Sequence, residues 1–258
     1  MKSLTANLKL ALDPVLFAGQ LGFNDLDEWQ EKALTYKGDK LLLCCSRQAG
    51  KSTVSAIKAI HEIIFNPGSL VLLVSPSQRQ SGELFKKCNE LLKALPLQIG
   101  RTKDNKLSLT LENGSRIVSL PSTEATIRGY NADLICIDEA SRVPDSLFFS
   151  ISPMVSVSGG SLILLSTPAG KRGFFYENYS SDNWERLTVT AKDCPRISDS
   201  FLKEERKQIG DFYFKQEYLC QFLEPEGSLF TLEQIEDCFV DEFDGWNISI
   251  KGVAKIGN

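Results

Sequence analysis

The stretch with the clearest chemical potential is CCSRQAGKST, at residues 44–53. It ends like the phosphate-binding pattern GxxxxGK[ST], although Cys45 stands where that pattern has its first glycine. A helical pattern follows, so backbone N–H groups at a helix start could face an anion. Lys51 would then reach the β- and γ-phosphates of ATP, and Ser52 would supply an oxygen to Mg²⁺. The residues predicted to bind the nucleotide here are Ser46, Arg47, Gln48, Ala49, Gly50, Lys51, Ser52 and Thr53.

Two adjacent carboxylates end a second apolar run, LICIDEAS at residues 134–141. Asp138, at the end of the predicted strand, would hold the Mg²⁺ shell through water. Glu139 would orient and deprotonate an attacking water molecule. An acidic turn after a buried strand is the plain alternative for one such motif. With both motifs in this order, the pattern predicts nucleotide hydrolysis.

A third apolar run, LILLST, ends in Ser166 and Thr167 before Pro168. Small hydroxyl groups at a strand end near the γ-phosphate could sense its loss and pass that change to the following segment. The alternative is a simple strand stop before proline. We therefore treat Ser166 and Thr167 as candidate coupling residues.

The elements that must position these groups follow from hydrophobic periodicity. Apolar runs without alternation predict strands covered on both faces of a parallel sheet. These runs are 41–45, 70–75, 134–137 and 162–166. Helical periodicity covers 51–65 and 77–95, and the first of these ends at Asn-Pro-Gly. The predicted fold is a three-layer α/β P-loop NTPase with a predominantly parallel sheet.

Three further segments modify this plan. KLSLTLENGSRIVSLP, at residues 106–121, alternates on either side of Asn-Gly and predicts a β-hairpin insertion. ERLTVT, at 185–190, predicts one more strand. Residues 198–222 are rich in charged and aromatic residues and predict two short helices of a small C-terminal lid. The N-terminal residues predict a helical arm, because Lys9, Asp13 and Gln20 interrupt any signal-peptide core.

Composition excludes several other classes of protein. The 258 residues are 42% hydrophobic and 24% charged, and no run of 18 apolar residues offers a membrane span. Seven cysteines form no CxxC pair, which favours a reducing compartment and argues against zinc. The single histidine, His61, has no second histidine beside it for a metal. A net charge of -4 means that any DNA contact must be local or shared among subunits.

SRQAGKST, LICIDEAS and LLSTPAGKRGFFYENY together resemble the Walker A, Walker B and coupling motifs of the large terminase subunit of tailed bacteriophages. The resemblance runs from about residue 22 to about residue 230. That family is similar to this sequence in replacing the first loop glycine and in placing Arg-Gln inside the loop. The resemblance implies a RecA/ASCE-like ATPase that drives double-stranded viral DNA into a procapsid.

The resemblance also implies roles for single residues. Arg47 resembles the loop arginine that approaches the γ-phosphate. Gln30, in the segment Asp-Glu-Trp-Gln, resembles the adenine-recognition glutamine, with Trp29 packed nearby. Arg128 resembles an arginine finger inserted into the neighbouring subunit's site, and its alternative is a surface arginine on a loop. The catalytic candidates are thus Glu139, Arg47 and Arg128.

The domain organisation follows from the same comparison. We expect an ATPase core with its helical arm at 1–190, a lid at 191–240, and at 241–258 a tail or the start of a missing nuclease domain. Large terminases of this kind continue into an RNase H-like nuclease. Here Asp241, Glu242 and Asp244 crowd one segment, whereas two-metal cleavage needs convergent carboxylates. We therefore expect no nuclease activity in this chain.

The cofactors implied by the resemblance are ATP and Mg²⁺. The implied partners are double-stranded DNA, a homo-oligomeric ring on a portal and a small terminase subunit, in the cytoplasm of an infected bacterial host and with no membrane. A RecA-like helicase shares the Walker motifs but clamps DNA between two such domains, and this chain has one phosphate loop. A P-loop kinase would lack the adjacent glutamate. A non-hydrolysing nucleotide-binding adaptor remains the third alternative.

Overall fold

A computed structural model describes residues 8–95, 100–121 and 129–224, except for the side chain of residue 157. The strands are β1 (Lys40–Cys45), β2 (Leu70–Ser75), β3 (Arg101–Asp104), β4 (Ser108–Leu111), β5 (Arg116–Pro121), β6 (Leu134–Asp138), β7 (Ser161–Ser166) and β8 (Glu185–Val189). The helices are α1 (Pro14–Gln20), α2 (Glu28–Thr35), α3 (Lys51–Phe65), α4 (Gln78–Ala94), α5 (Asp145–Ser158), α6 (Gly173–Ser180) and α7 (Asp199–Leu219). Short 3₁₀ turns follow β6 at Ala140–Arg142 and β8 at Ala191–Asp193.

The eight strands form one sheet in the order β3-β4-β5-β2-β6-β7-β1-β8. All pairings from β5 to β8 are parallel. The register pairs Cys44 with Ser166 and Asp138 with Leu165. Because parallel strands end at the same edge, the segments after β1, β6 and β7 all lie at one edge of the sheet. The predicted chemistry is thereby gathered at the carboxyl ends of three neighbouring strands.

Both faces of the sheet are covered, which explains why the central strands have no polar alternation. Leu41, Leu43 and Cys45 of β1 join a core with α1 to α4 on one face. Leu42 and Cys44 join a second core with α5 and α6 on the other. The same alternation holds along β2, β6 and β7, so the sheet is the middle of three layers. The predicted fold class is confirmed.

The antiparallel part of the sheet is confirmed as a hairpin. β4 pairs with β5 across the Asn113–Gly114 turn, and Gly114 has a φ of 85° that suits glycine. Sequence reasoning missed β3, a four-residue strand that pairs with β4 and exposes three of its residues. It also made no prediction for α5, whose apolar positions are spread around the helix. Edge strands such as β3 carry little hydrophobic signal.

The segment after β8 contains two helical stretches, as predicted. Helix α7 is interrupted at Gly210, whose φ of 79° and ψ of 164° are not helical. Leu202, Phe214 and Tyr218 pack with Ala191 in a small separate core. Residues up to Leu223 form one compact unit. The expected boundary between an ATPase core and a lid at residue 190 stays a prediction.

Several predictions fall on other parts of the chain. Arg128 and the acidic residues Asp241, Glu242 and Asp244 lie outside the described residues. Among the described helices, none is both long enough and apolar enough to span a membrane. The six cysteines of the described ranges are buried free thiols, consistent with their apolar setting in the sequence.

Candidate functional site

The loop between β1 and α3 has the backbone that a phosphate site needs. Gly50 caps α3 with a φ of 102°, and Gln48 also has a left-handed φ of 60°. Successive N–H groups in such a loop converge on one point, and the first N–H groups of a helix have no intrahelical partner. The left-handed φ favours glycine here, and a Cβ at Gly50 would also lie 2.9 Å from the Gln30 side-chain nitrogen. The cysteine in place of the first glycine belongs to β1 and is buried.

Lys51 lies inside this loop rather than in solvent. Its side chain is buried, and Nζ donates to the carbonyl oxygens of Cys45 and Ser46 at 3.0 Å each. The neighbouring amides of Ser46 and Arg47 donate to Val189 and Glu217 carbonyls. The ammonium group is therefore held at the centre of the loop, where a phosphate can replace the carbonyls as its partner.

The two predicted halves of a metal site meet at the sheet edge. Ser52 Oγ lies 3.5 Å from Asp138 Oδ2, although the residues are 86 positions apart. Burial, followed by the charge of Glu139, raises the pKa of Asp138 to about 6. A carboxylate and a hydroxyl are hard oxygen ligands, the kind that Mg²⁺ prefers. A cation would also relieve the charge that the neighbouring carboxylates share, so these residues fit Mg²⁺.

Glu139 has an uncommon backbone conformation for its type. Its φ is 52° and its ψ is 41°, in the left-handed region, and its N–H donates to Asp138 Oδ1 at 3.0 Å. Such conformations cost free energy and persist where the surrounding structure imposes them. Arg142 Nη1 lies 2.5 Å from the Oε2 of the Glu139 carboxylate.

The loop arginine is ion-paired with α7. Arg47 Nε donates to Glu217 Oε2 at 2.9 Å, and Arg142 Nη2 donates to Glu217 Oε1 at 2.8 Å. Only 9% of the Glu217 side chain is exposed, against 60% for Arg47. One buried carboxylate therefore links the phosphate loop, the turn after β6 and α7.

The candidate coupling residues belong to the same network. Ser166 and Thr167 are both buried. Ser141 Oγ lies 2.7 Å from Ser166 Oγ and donates to the Thr167 carbonyl at 2.8 Å. Arg142 Nη1 donates to Thr167 Oγ1 at 3.3 Å. The turn after β6 thus contacts the end of β7 through two consecutive residues.

The predicted adenine segment lies against the loop. Gln30 is buried, and its Oε1 accepts from the Asp27 N–H at 2.9 Å in a helix capping box. Trp29 is also buried in the adjoining core. Arg196, which precedes α7, forms an ion pair with Asp27 and reaches the Ala49 carbonyl at 3.4 Å. This side of the loop is thereby fixed from two distant segments.

A cleft of about 540 Å³ opens beside the acidic pair. It is lined by Ser52, Asp138 and Glu139 and by residues of α4, among them Lys87. Lys87 Nζ donates to Thr53 Oγ1 at 3.1 Å. The structure therefore brings residues 46–53, Asp138, Glu139, Ser166 and Thr167 together at one edge, with Gln30 behind the loop.

Sequence reasoning missed four residues that contact this edge. They are Lys87, Arg142, Arg196 and Glu217. Lys87 belongs to a Lys-Lys pair, which usually indicates a solvated face, and Glu217 lies in an aromatic stretch that indicates lid packing. Arg142 follows Glu139 by three positions, and that spacing on a tight turn is the one signal that the sequence offers.

A strand followed by a glycine-capped helix, together with a second parallel strand that leads into two acids, defines a P-loop nucleotide site on a RecA-like sheet. Comparison with known proteins agrees. Residues 42–237 match the family described as terminase large subunit, T4likevirus-type, N-terminal. The chain belongs to this large terminase family.

Individual relatives point the same way. The terminase large subunit of Thermus virus P23-45 is 25% identical over 227 residues, which covers 73% of this chain and 47% of that protein. The chain thus spans about half the length of this relative. The large terminase ATPase domain of Thermus phage P74-26 superposes with a TM-score of 0.71 at 23% identity, covering 80% of this chain and 97% of that domain. The large terminase of a second thermophilic bacteriophage, in complex with ATP-gamma-S, has a TM-score of 0.62 at 15% identity, covering 76% and 53%.

Proposed function

We propose that this chain is the ATP-hydrolysing part of a viral DNA-packaging terminase. The observation that carries the proposal is the 3.5 Å approach of Ser52 Oγ to Asp138 Oδ2, with Glu139 next in the chain. This approach supports the assignment of a phosphate loop, a metal-ligand pair and a base to one edge of the sheet. Family membership and a relative crystallised with ATP-gamma-S support the choice of ATP.

Binding would use groups that now have internal partners. The loop N–H groups and Lys51 Nζ would hold the β- and γ-phosphates, with Lys51 releasing the Cys45 and Ser46 carbonyls. Ser52 and Asp138 would hold Mg²⁺, which offsets charge on the phosphates. Gln30, whose side-chain nitrogen lies next to Gly50, would read the purine edge.

Hydrolysis would use Glu139 as the base. Its carboxylate lies at the cleft and would orient a water molecule and accept its proton. Arg47 would leave Glu217 and offset negative charge on the triphosphate. Both side chains are ion-paired here, so these contacts must rearrange during turnover.

Loss of the γ-phosphate would be transmitted through Ser166 and Thr167, which contact the turn after β6. The movement of α7 would then act on double-stranded DNA. We propose further that the working assembly is a homo-oligomeric ring on a portal, with a small terminase subunit, in the host cytoplasm. In it Arg128 would act on the neighbouring subunit's site. These partners rest on family membership.

The test is steady-state ATP hydrolysis per subunit over a wide range of protein concentration, with Mg²⁺ present. Glu139→Gln should bind ATP and lose turnover by about a hundredfold or more, the usual size of a lost general base. Lys51→Ala should lose binding. Glu90→Gln, an exposed glutamate paired with Lys86, is the matched control and should keep full activity.

The outcomes separate the alternatives. Activity per subunit that rises with concentration supports a site completed between subunits and Arg128 as a trans arginine. Flat activity above the Glu139→Gln blank indicates a self-sufficient ATPase. Binding without turnover at any concentration would favour a nucleotide-binding adaptor, and full turnover in Glu139→Gln would contradict the assignment of the base.

A further inference from the structure

The side chain of Arg142 connects three separate segments of the site. Its guanidinium donates to the carboxylates of Glu139 and Glu217 and to the hydroxyl of Thr167. The distances are 2.5, 2.8 and 3.3 Å. These partners follow β6, lie on α7 and follow β7, respectively. A guanidinium presents five N–H donors in a rigid plane, whereas the ammonium group of a lysine presents three donors that rotate.

Glu217 is the partner that Arg142 shares with Arg47. Each arginine takes one oxygen of the carboxylate, which is 9% exposed. A buried carboxylate that loses all its cations is strongly destabilising, because neither water nor another charge compensates it. Arg47 can therefore leave Glu217 at a small free-energy cost only if Arg142 stays paired with the carboxylate.

The two arginines differ in how firmly they are held. The Arg47 side chain is 60% exposed and its only side-chain hydrogen bond among the described residues is to Glu217. The Arg142 side chain is 35% exposed and is held by three residues. Of the pair, Arg47 is the side chain that can move.

We propose that Arg142 is a positioning residue that keeps Glu217 paired and so lets Arg47 leave α7 for the triphosphate. The inference rests on the proposed function, in which Arg47 contacts the nucleotide. Without Arg142, Glu217 would keep Arg47 as its single cation and hold it away from the site. Arg142 thus sets nucleotide affinity without touching the nucleotide.

The experiment measures the dissociation constant for ATP-gamma-S in four proteins: wild type, Arg142→Ala, Glu217→Gln, and the double variant. We expect Arg142→Ala to weaken binding by about tenfold or more, the size of one charge-assisted hydrogen bond. Glu217→Gln in the same chain should restore binding to near the wild-type value, because a neutral amide no longer retains Arg47. If Arg142 had only a structural role, the losses of affinity caused by Arg142→Ala and Glu217→Gln would add in the double variant.

Arg186→Ala is the matched control. The Arg186 side chain is 37% exposed, pairs with Asp182 and lies on β8 away from the carboxyl edge. It should leave the affinity unchanged. Arg142→Gln, which keeps N–H donors and loses the charge, serves if Arg142→Ala folds poorly, and the same weakening is expected.

Unchanged affinity in both Arg142 variants, or weakening that Glu217→Gln does not relieve, would overturn the inference. A second readout does not need nucleotide: the unfolding free energies of the same four proteins form a double-mutant cycle. Coupling between positions 142 and 217 is expected there, and its absence would also overturn the proposal. Coupling together with no ATP-gamma-S binding by the wild type would instead contradict the proposed function, and with it the role of Arg47.

Discussion

At the scale of single residues, the site contains residues whose backbone conformation or burial is unfavourable in free energy. Gln48 and Glu139 have left-handed backbones without being glycine, and Lys51 is buried. Burial and the neighbouring charge of Glu139 raise the pKa of Asp138 to about 6. Each of these states costs free energy in the absence of ligand. A bound cation beside Asp138 and an anion beside Lys51 would relieve the charge-related part of this cost.

His61 gives a residue-scale prediction about pH. It packs against the rings of Phe17 and Phe65, which also contact each other, and its Nε2 lies 3.1 Å from the Leu10 carbonyl oxygen. Burial lowers its pKa below the ordinary value of 6.5. Because it is the only histidine, its ring gives a single Cε1–H signal in a ¹H–¹³C NMR titration. The midpoint should lie below 6.5, and a midpoint at or above 6.5 would contradict the buried placement.

The same shift has a defined effect on stability. The unfolded chain binds the His61 proton more readily than the folded chain. The contribution of His61 to the free energy of unfolding is therefore complete above pH 6.5. It is lost as the pH falls through 6.5 towards the pKa of His61 in the folded chain. Glu62, on the same helix, has a pKa raised by burial and acts in the opposite direction at lower pH. His61→Gln isolates the histidine part by comparison with the wild type.

At the scale of elements, helix α3 is hydrogen-bonded to the end of helix α2 through Lys58. Lys58 Nζ donates to three carbonyl oxygens at the end of α2, those of Ala33, Leu34 and Tyr36, at 3.1 to 3.2 Å. Carbonyl groups at the end of a helix have no N–H donor from a following turn, so they need another partner. The ammonium group thereby joins α2, which carries Gln30, to the helix that begins at the phosphate loop.

Lys58→Met tests this connection. We expect a loss of about 2–4 kcal/mol in the free energy of unfolding, because buried carbonyls lose charged donors while the apolar stem is replaced. Urea unfolding at neutral pH is the measurement. Lys32→Met, on α2 in an exposed pair with Glu28, should change stability by less than about 0.5 kcal/mol. If the two substitutions changed the free energy of unfolding equally, the three hydrogen bonds of Lys58 would add no stability beyond that of an exposed ion pair.

At the scale of the whole molecule, the sheet unites two cores. Trp29 belongs to the core on one face and Trp184 to the core on the other. Each central strand supplies side chains to both cores in alternation, so neither core can be lost without breaking the strands of the other. We therefore expect residues up to Leu223 to unfold cooperatively.

Incorporation of 5-fluorotryptophan tests this in one protein. Trp29 and Trp184 should lose their native ¹⁹F signals at the same urea concentration. Single Trp→Phe variants assign the signals, and Trp246, which lies outside the described residues, is identified in the same way. Separate midpoints for Trp29 and Trp184 would show that the two faces unfold independently.

Much of the architecture was predictable from the sequence for local reasons. Buried parallel strands are continuous apolar runs, helices show a 3.6-residue period, and Asn-Gly marks a hairpin. The candidate phosphate loop and acidic pair were also local, because each needs only a few adjacent residues. Strand β3 and helix α5 were not predicted, since neither has a clear apolar period.

What the sequence by itself determined is therefore the buried parallel strands, the helices with a clear apolar period, the hairpin and the residues that could do chemistry. Only the tertiary structure decided how those residues are paired. Glu217 meets Arg47 across 170 positions, and Arg196 meets Asp27 across 169. An ion pair between distant positions imposes no period or spacing on either segment, so one sequence carries no trace of it. The sheet order brings these segments to one edge, and burial there makes the charges depend on one another.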